Sequence, residues 1–453
     1  MATLWLDVTT LLHWRRPAVG VVRVLSECFK YFDAQASEQI RFSRFDKPAG
    51  AFFEVPAAEV REALLRHGRG DSTPEPKPAR RLADTAERAL GYVPGPLREP
   101  MRTLARKSEP ALRTTLHNVR RAAGQVRNVG GHLSSMLRNP ETIESSDLTS
   151  ATARFREGDV LISCGLDWNE KDLELQYRLK RETGLKQLTF CYDLIPVLLP
   201  HLCVGEVAGI YANYYANLAW CSDHVLCISR ASERDLHALL ARLGAPQPPT
   251  SVVRLGSNLP AGGDAGAEPL VKGKYLLFVS TIERRKNHEV LYRAMALLAA
   301  QGRTDLPQVV FVGMPGWGVK DFLNDLEFDY RVRGKFVILN HVSDAELTRL
   351  YQGALFTVFP SLYEGWGLPL GESLAHGKFC LASNTSSLPE VGGELVEYLD
   401  PWETKRWAER IAWYLDHPEE IASREALIRE KYVPPKWEDT GRAVYEAARK
   451  LAG

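Results

Sequence analysis

Residues 275–301 read YLLFVSTIERRKNHEVLYRAMALLAAQ, and their pattern decides the fold. Tyr275 to Ser280 is a short apolar run with strand character. From His288 to about Gln301 the residues Val290, Leu291, Ala294, Leu297 and Leu298 fall on one helical face. Asn287 is the candidate N-cap and Gly302 follows the end. The same alternation continues downstream. Val309–Gly313 and a run near Phe336–Leu339 read as strands. Ser343 with Glu346 forms a capping box for a helix carrying Leu347, Leu350 and Tyr351. Phe356–Phe359 is a strand, Leu368–His376 a helix and Phe379–Ser383 a strand. Strand and helix alternating through short links imply a parallel sheet covered on both faces, with ligands at the carboxyl ends of its strands.

The first half has the same flavour. Thr3–Val8, Val160–Cys164, Gln187–Tyr192 and His224–Ile228 are candidate strands. Asn258–Gly273, rich in Gly, Ala and Pro, reads as a linker between two halves. The stretch Trp437–Leu451 is helical with no strand after it, so it is free to cross back onto the first half. The expected domains are therefore 1–258 completed by the helix 437–453, and 272–436. At 453 residues the chain has room for both.

Composition excludes several classes. A net charge of +1 gives no large single-sign field, which argues against a dedicated nucleic-acid binder. The seven cysteines are scattered, without a C-x-x-C pair, so neither a zinc site nor a disulfide framework is expected. The first apolar run, Leu4–Leu12, is broken by Asp7, and Arg15 and Arg16 follow it, which is not a secretory signal. No uncharged apolar run approaches the ~18 residues that span a bilayer. Residues 61–140 break the pattern, with sixteen basic residues, fourteen of them Arg, against seven acidic ones. They read either as a solvated helical excursion or as a patch for anionic lipid headgroups or a diphosphate-linked acceptor.

Two constellations carry the chemistry. Glu283-Arg284-Arg285-Lys286-Asn287 lies between a strand end and a helix start. A helix N-terminus already carries about half a positive charge, so three cations there call for an anion such as phosphate. The competing reading is a solvent-screened basic cluster. Glu364-Gly-Trp-Gly-Leu-Pro-Leu-Gly-Glu372 runs from a strand end through a glycine turn into a helix, with Pro369 in its first turn. Glu364 then faces the reactive end of a ligand, and Glu372, deeper in the helix, suits a ribose diol. A carboxylate there would stabilise an oxocarbenium-like state. The alternative is an ordinary helix with surface acids. Gly365, Gly367 and Gly371 miss the dinucleotide fingerprint by one residue of spacing and occur late in the chain.

The runs FVSTIERRKNHEVLYRAMALL, FVGMPGWG and LNHVSDAELTRLYQGALFTVFPSLYEGWGLPLGESLAHGKFCLASNTSSLPEVGG resemble family 4 of the retaining GT-B glycosyltransferases. That family includes many mannosyltransferases of bacterial polysaccharide assembly. GVVRV (20–24), YDLIP (192–196) and CISRASERDL (227–236) resemble its first half. The resemblance implies an α/β GT-B fold, two Rossmann-like domains facing a central cleft. It also implies roles. Arg285 and Lys286 would grip the donor diphosphate, Glu364 the transferred sugar and Glu372 the ribose. Thr281 and the backbone from Gly365 through Trp366 and Gly367 to Leu368 would help hold the donor. The backbone near Val342 would touch the nucleobase, Gly20 would let the first domain close over the diphosphate, and Asp193 would lie near the sugar or acceptor hydroxyl. Tyr192 stands where many relatives carry His. A front-face route, with the leaving diphosphate taking the acceptor proton, implies no metal and no cofactor. The family pattern points to GDP-mannose as donor and a lipid-linked saccharide as acceptor, at the cytoplasmic face of the cell membrane. GDP-rhamnose, dTDP-rhamnose and UDP-hexoses are alternative donors. A GT-B nucleotide-sugar epimerase and a non-catalytic sugar binder are the readings of other classes.

Overall fold

The computed structural model describes residues 2–15, 20–68, 151–203, 207–258, 268–316 and 318–453. Most of the Arg-rich segment therefore lies outside the described residues. Its first residues close a helix, Ala57–Gly68, in which Val60 and Ala63 are buried and Arg61 makes a two-pronged ion pair with Asp33 at 2.7 Å.

The chain builds two sheets within one compact unit. The first contains β1 (Leu4–Asp7), β2 (Ile40–Asp46), β3 (Ala51–Val55), β4 (Val160–Ser163), β5 (Lys186–Cys191), β6 (His224–Cys227) and β7 (Thr250–Val252), in the order β3-β2-β1-β4-β5-β6-β7. The second contains β8 (Tyr275–Val279), β9 (Gln308–Val312), β10 (Phe336–Leu339), β11 (Phe356–Phe359), β12 (Cys380–Ser383) and β13 (Glu397–Leu399), in the order β10-β9-β8-β11-β12-β13. Every pairing in the second sheet is parallel. The first sheet differs at one edge, where β3 runs antiparallel to β2.

Continuous apolar strands follow from burial on both faces. In β8 and β9, Leu276, Phe278, Val309 and Phe311 enter one core, while Tyr275, Leu277, Val310 and Val312 enter the core on the opposite face. The first sheet divides the same way. Leu4, Leu6, Val160 and Ile162 face one core, and Trp5 and Leu161 another. The helix His288–Ala300 lays Val290, Leu291, Ala294 and Leu298 into the core, with Leu297 at its margin. The capping box at Ser343 and Glu346 is present.

The last helix, Trp437–Ala452, packs on the helix Val21–Ala34 beside the first sheet. Gly441 permits this, because a Cβ there would stand 2.5 Å from Tyr31 Cβ. Tyr445 meets Phe32 edge-on at 5.4 Å.

Candidate functional site

After β8 the chain passes Thr281 and makes a short 3-10 turn, Arg284–Lys286. Asn287 stands at the start of the next helix, but its side chain does not cap it, correcting the sequence expectation. The residue is left-handed (φ 58°), which turns its amide away. Its Nδ2 donates instead to the carbonyls of Pro360 (3.1 Å) and Pro401 (2.8 Å), tying the turn to the loops after β11 and β13. Leu362 N–H donates to the Arg285 carbonyl at 2.8 Å.

These ties bring the two constellations together. Lys286 Nζ donates to Glu364 Oε1 at 2.5 Å, and Arg285 Nη1 to Glu364 Oε2 at 3.2 Å. Arg285 Nε also donates to Glu283 Oε2 at 3.0 Å, and Arg284 reaches the His201 carbonyl at 3.2 Å. Glu283 and Glu364 thus bring anions of the chain's own to this basic turn. Glu364 and Lys286 are both buried. Burial pushes the Glu364 carboxyl up, but Lys286 and Arg285 outweigh it and hold it below the usual range. Burial and then repulsion by Arg285 lower the Lys286 ammonium, against the pull of Glu364.

The loop carrying Glu364 is held from β12's side. Glu364 N–H donates to Ser386 Oγ at 2.8 Å, and the Ser387 hydroxyl lies 3.0 and 2.8 Å from the carbonyl oxygens of Glu364 and Trp366. Gly365 meets the first sheet directly. A Cβ there would stand 2.6 Å from the Tyr192 carbonyl and 3.0 Å from Asp193 Cβ. The carboxyl-end loops of β5 and β11 thus touch, and only glycine fits the contact. Asp193 accepts from Ile195 N–H at 3.0 Å. Burial raises its carboxyl, Arg285 draws it back, and Glu364 adds to the rise. Asp193, Arg285, Lys286 and Glu364 form one charged cluster.

Glu372, on the helix Leu368–Ala375, is buried, and Tyr351 Oη donates to it at 3.1 Å. Burial pushes its carboxyl up to about 7, with Arg23 and the Tyr351 hydrogen bond opposing. Arg23 comes from the helix after Gly20 and is anchored over the Trp437 ring at 5.2 Å. The preceding residue, Gly371, admits Ser257 from the crossing between the sheets, 2.9 Å from where a Cβ would stand.

A match to the family model "Glycosyl transferases group 1" covers residues 266–447, which contain Glu283 to Glu372 and the whole second sheet. Those residues are a glycosyl transferases group 1 domain. O-antigen chain mannosyltransferase B of Escherichia coli is 35% identical over 167 residues, covering 36% of this chain and 43% of that protein. The serotype-specific mannosyltransferase WbdA of Escherichia coli is 29% identical over 221 residues, covering 46% of this chain and 26% of that protein. The chain therefore matches less than half the length of these curated relatives. Sucrose-phosphate synthase from Thermosynechococcus elongatus shares the fold over 100% of this chain and 99% of its own, with a TM-score of 0.59 at 15% identity. The architecture is GT-B.

In the glycosyltransferase domain, Thr281 follows β8, Val342 follows β10 and Glu364 follows β11, all at carboxyl ends. Thr281 is exposed and Val342 half-buried. Gly367 begins the helix Leu368–Ala375, and Leu368 is half-buried. Trp366 does not open its indole to the cleft. It is buried against the core of the first sheet. Gly20 caps the helix Val21–Ala34 with φ 54° and is exposed. Tyr192 points inward, donating from its hydroxyl to the Cys164 carbonyl at 2.6 Å, so it does not stand in for a cleft histidine.

Sequence reasoning gave no site role to Arg23, Ser386, Ser387 or Glu390, named Tyr351 only as a helix-face residue, and named Glu283 only as part of the basic constellation. The Glu390 carboxylate accepts the N–H groups of Arg230 and Ala231 at 2.8 Å each, while Ser229 Oγ accepts that of Ser232 at 3.0 Å. The free donors opening the helix Arg230–Leu243 are thereby met, two of them from the other sheet's side. The signal was present in S-S-L-P-E (386–390), polar groups packed just after a strand. A pocket of 580 Å³ bounded by Pro269, Leu270, Tyr275 and Arg349 lies near the start of β8, the end opposite these groups.

Proposed function

We propose that the chain transfers a mannosyl residue from GDP-mannose to a lipid-linked saccharide in polysaccharide or O-antigen assembly, with retention of configuration. The observation that carries the reading is Glu364 held by Arg285 and Lys286 at the carboxyl ends of the second sheet, with Asp193 brought in from the first. Mannosyltransferases are among the relatives of the glycosyltransferase domain, which supports the donor. The bond from the anomeric carbon to the diphosphate oxygen breaks while the acceptor oxygen attacks the same face. The acceptor's proton passes to the departing phosphate oxygen. Arg285 and Lys286 neutralise the charge that develops there, so no metal or cofactor enters this route. Glu364 changes partners, from the two cations to the sugar. The Arg-rich segment is assigned to the anionic inner face of the cell membrane, near a lipid-linked acceptor.

A thermal-shift series with GDP, UDP, dTDP, ADP and NAD tests the donor. A nucleotide at about 100 times its Kd adds about 2.7 kcal/mol to stability. A shift with GDP alone is expected. A shift with UDP or dTDP alone discards the mannosyl donor, and no shift with any of them removes the nucleotide site.

Glu372 makes donor binding depend on pH. A ribose diol donates hydrogen bonds, so it selects the ionised carboxylate. With the carboxyl near 7, proton uptake below that pH depletes the competent form. GDP-mannose affinity is expected to fall about tenfold from pH 8 to pH 6, because apparent Kd scales inversely with the ionised fraction. Glu372→Gln should bind more weakly at pH 8 and lose the dependence. A pH profile by calorimetry that is flat in the parent protein would remove Glu372 from the ribose site.

A further inference from the structure

The chemistry so far leaves one group of side chains unused. The short helix Asp167–Glu170 sits beyond the carboxyl end of β4, and the helix Val207–Cys221 lies beside it. The Trp168 indole is met by three tyrosine rings, Tyr211 at 5.1 Å, Tyr214 at 6.1 Å and Tyr192 at 6.5 Å.

These aromatics divide into two kinds. Tyr192, Tyr214 and Tyr215 are buried, and the hydroxyls of Tyr192 and Tyr215 are spent on the carbonyls of Cys164 (2.6 Å) and Asp193 (2.8 Å). They are core. Trp168 and Tyr211 are only half-buried. Trp168 sits over both the first-sheet core and the neighbouring tyrosine cluster without being enclosed by either. Tyr211 is close enough to Asp193 and Arg285 for both charges to act on its phenol. Geometry links it to that cluster through Tyr215, whose ring lies 6.3 Å from Tyr211 and whose hydroxyl holds the Asp193 backbone carbonyl at 2.8 Å.

A part-open aromatic pair beside a carboxylate has a definite chemical complement. A pyranose has one face of C–H groups and a rim of hydroxyls. The C–H face covers an aromatic ring and loses water there, while rim hydroxyls meet polar groups at its edge. Trp168 and Tyr211 belong to the first sheet's side, opposite the groups assigned to the donor. We propose that Trp168 and Tyr211 form the platform on which the acceptor's terminal pyranose lies, with the Tyr211 hydroxyl meeting a ring hydroxyl and Asp193 facing the hydroxyl that attacks. This rests on the transferase reading of the site. It adds a requirement that the acceptor present a sugar ring with an apolar face, rather than an open-chain or anionic alcohol.

The test uses the full chain with Trp168→Ala, Trp168→Phe and Tyr211→Phe. Transfer from GDP-mannose to methyl α-mannoside gives the acceptor KM. Donor hydrolysis without acceptor and GDP affinity report on the donor side. Trp168→Ala is expected to raise acceptor KM about tenfold, the loss of one aromatic stacking contact, with hydrolysis and GDP affinity unchanged. Trp168→Phe keeps a ring and should recover most of it. Tyr211→Phe keeps its ring and packing and should raise acceptor KM severalfold through the lost hydrogen bond. An acceptor KM within twofold of the parent in both Trp168→Ala and Tyr211→Phe overturns the platform, as does a fall in GDP affinity that parallels the acceptor effect. Saturation-transfer NMR with methyl α-mannoside separates this from failure of the transferase reading. Ring protons that receive saturation in the parent and not in Trp168→Ala support the platform even if no sugar is transferred. Equal saturation in both rejects it.

Discussion

Glu364→Gln is expected to lower sugar transfer by roughly 10²–10³-fold while GDP binds as tightly as before, or more tightly. The loss is of the size seen when one preorganised electrostatic group is removed from a reacting centre. The asymmetry comes from the ion pairs. Glu364 holds Lys286 at 2.5 Å and Arg285 at 3.2 Å, so the resting site spends its two cations on its own carboxylate. A diphosphate must compete with that carboxylate. Glutamine matches its shape but carries no charge, which frees both cations for the phosphates. The variant therefore separates grip on the leaving group from chemistry at the sugar. Single-turnover transfer measures the second, and calorimetry with GDP the first. Transfer at the parent rate would show that Glu364 is not at the reacting centre. A loss of GDP binding in step with transfer would make the carboxylate a structural brace for the loop.

Much of the fold was legible because burial writes itself into short sequence windows. β8, β9, β11 and β12 are apolar runs closed by turns, and their helices carry a clear face, because both sides of a parallel sheet are covered. The strands that escaped notice are edges, short, or diluted by charge. β7 (TSV) and β13 (EYL) have three residues each and sit at the ends of their sheets. β2, one strand in from the edge, alternates, but Arg41, Arg44 and Asp46 dilute its apolar signal with charges that are ion-paired in the fold. The site was legible as two separate constellations. Their meeting was not, because residues 286 and 364 lie far apart in sequence and no local rule sets a contact across that gap. The same holds for Glu390, whose partners are backbone N–H groups at Arg230 and Ala231. The S-S-L-P-E run carries the accepting side of that contact, while its backbone donors leave no mark of their own in the sequence. Asn287 shows the opposite error. Its position at the helix start was right, but its left-handed backbone sends the amide to Pro360 and Pro401, and propensity alone cannot reveal that.

Lys286→Met is expected to be the most damaging single change to stability in the site. Met matches the length and apolar stem of Lys and removes its charge. Glu364 is 6% exposed, so it is left as a buried anion with Arg285 as its remaining cation among the described residues, one it shares with Glu283. Breaking a buried pair from one side costs about 3–5 kcal/mol, since the stranded charge keeps its desolvation penalty. Arg285 moderates this, so about 3 kcal/mol is the expected loss, a Tm lower by roughly 5–10 °C. The carboxyl of Glu364 should then rise, because burial alone pushes it up and its largest opposing charge is gone. Part of the lost stability should accordingly return on acidification, the reverse of the parent, whose ion-paired Glu364 is held below its usual range and loses stability as pH falls. The double variant Glu364→Gln/Lys286→Met removes both charges together and should be more stable than Lys286→Met alone. A coupling of about 2 kcal/mol in that cycle, read from urea unfolding, is the expected result. Strict additivity would mean that the two side chains contribute as independent solvated charges rather than as a buried pair.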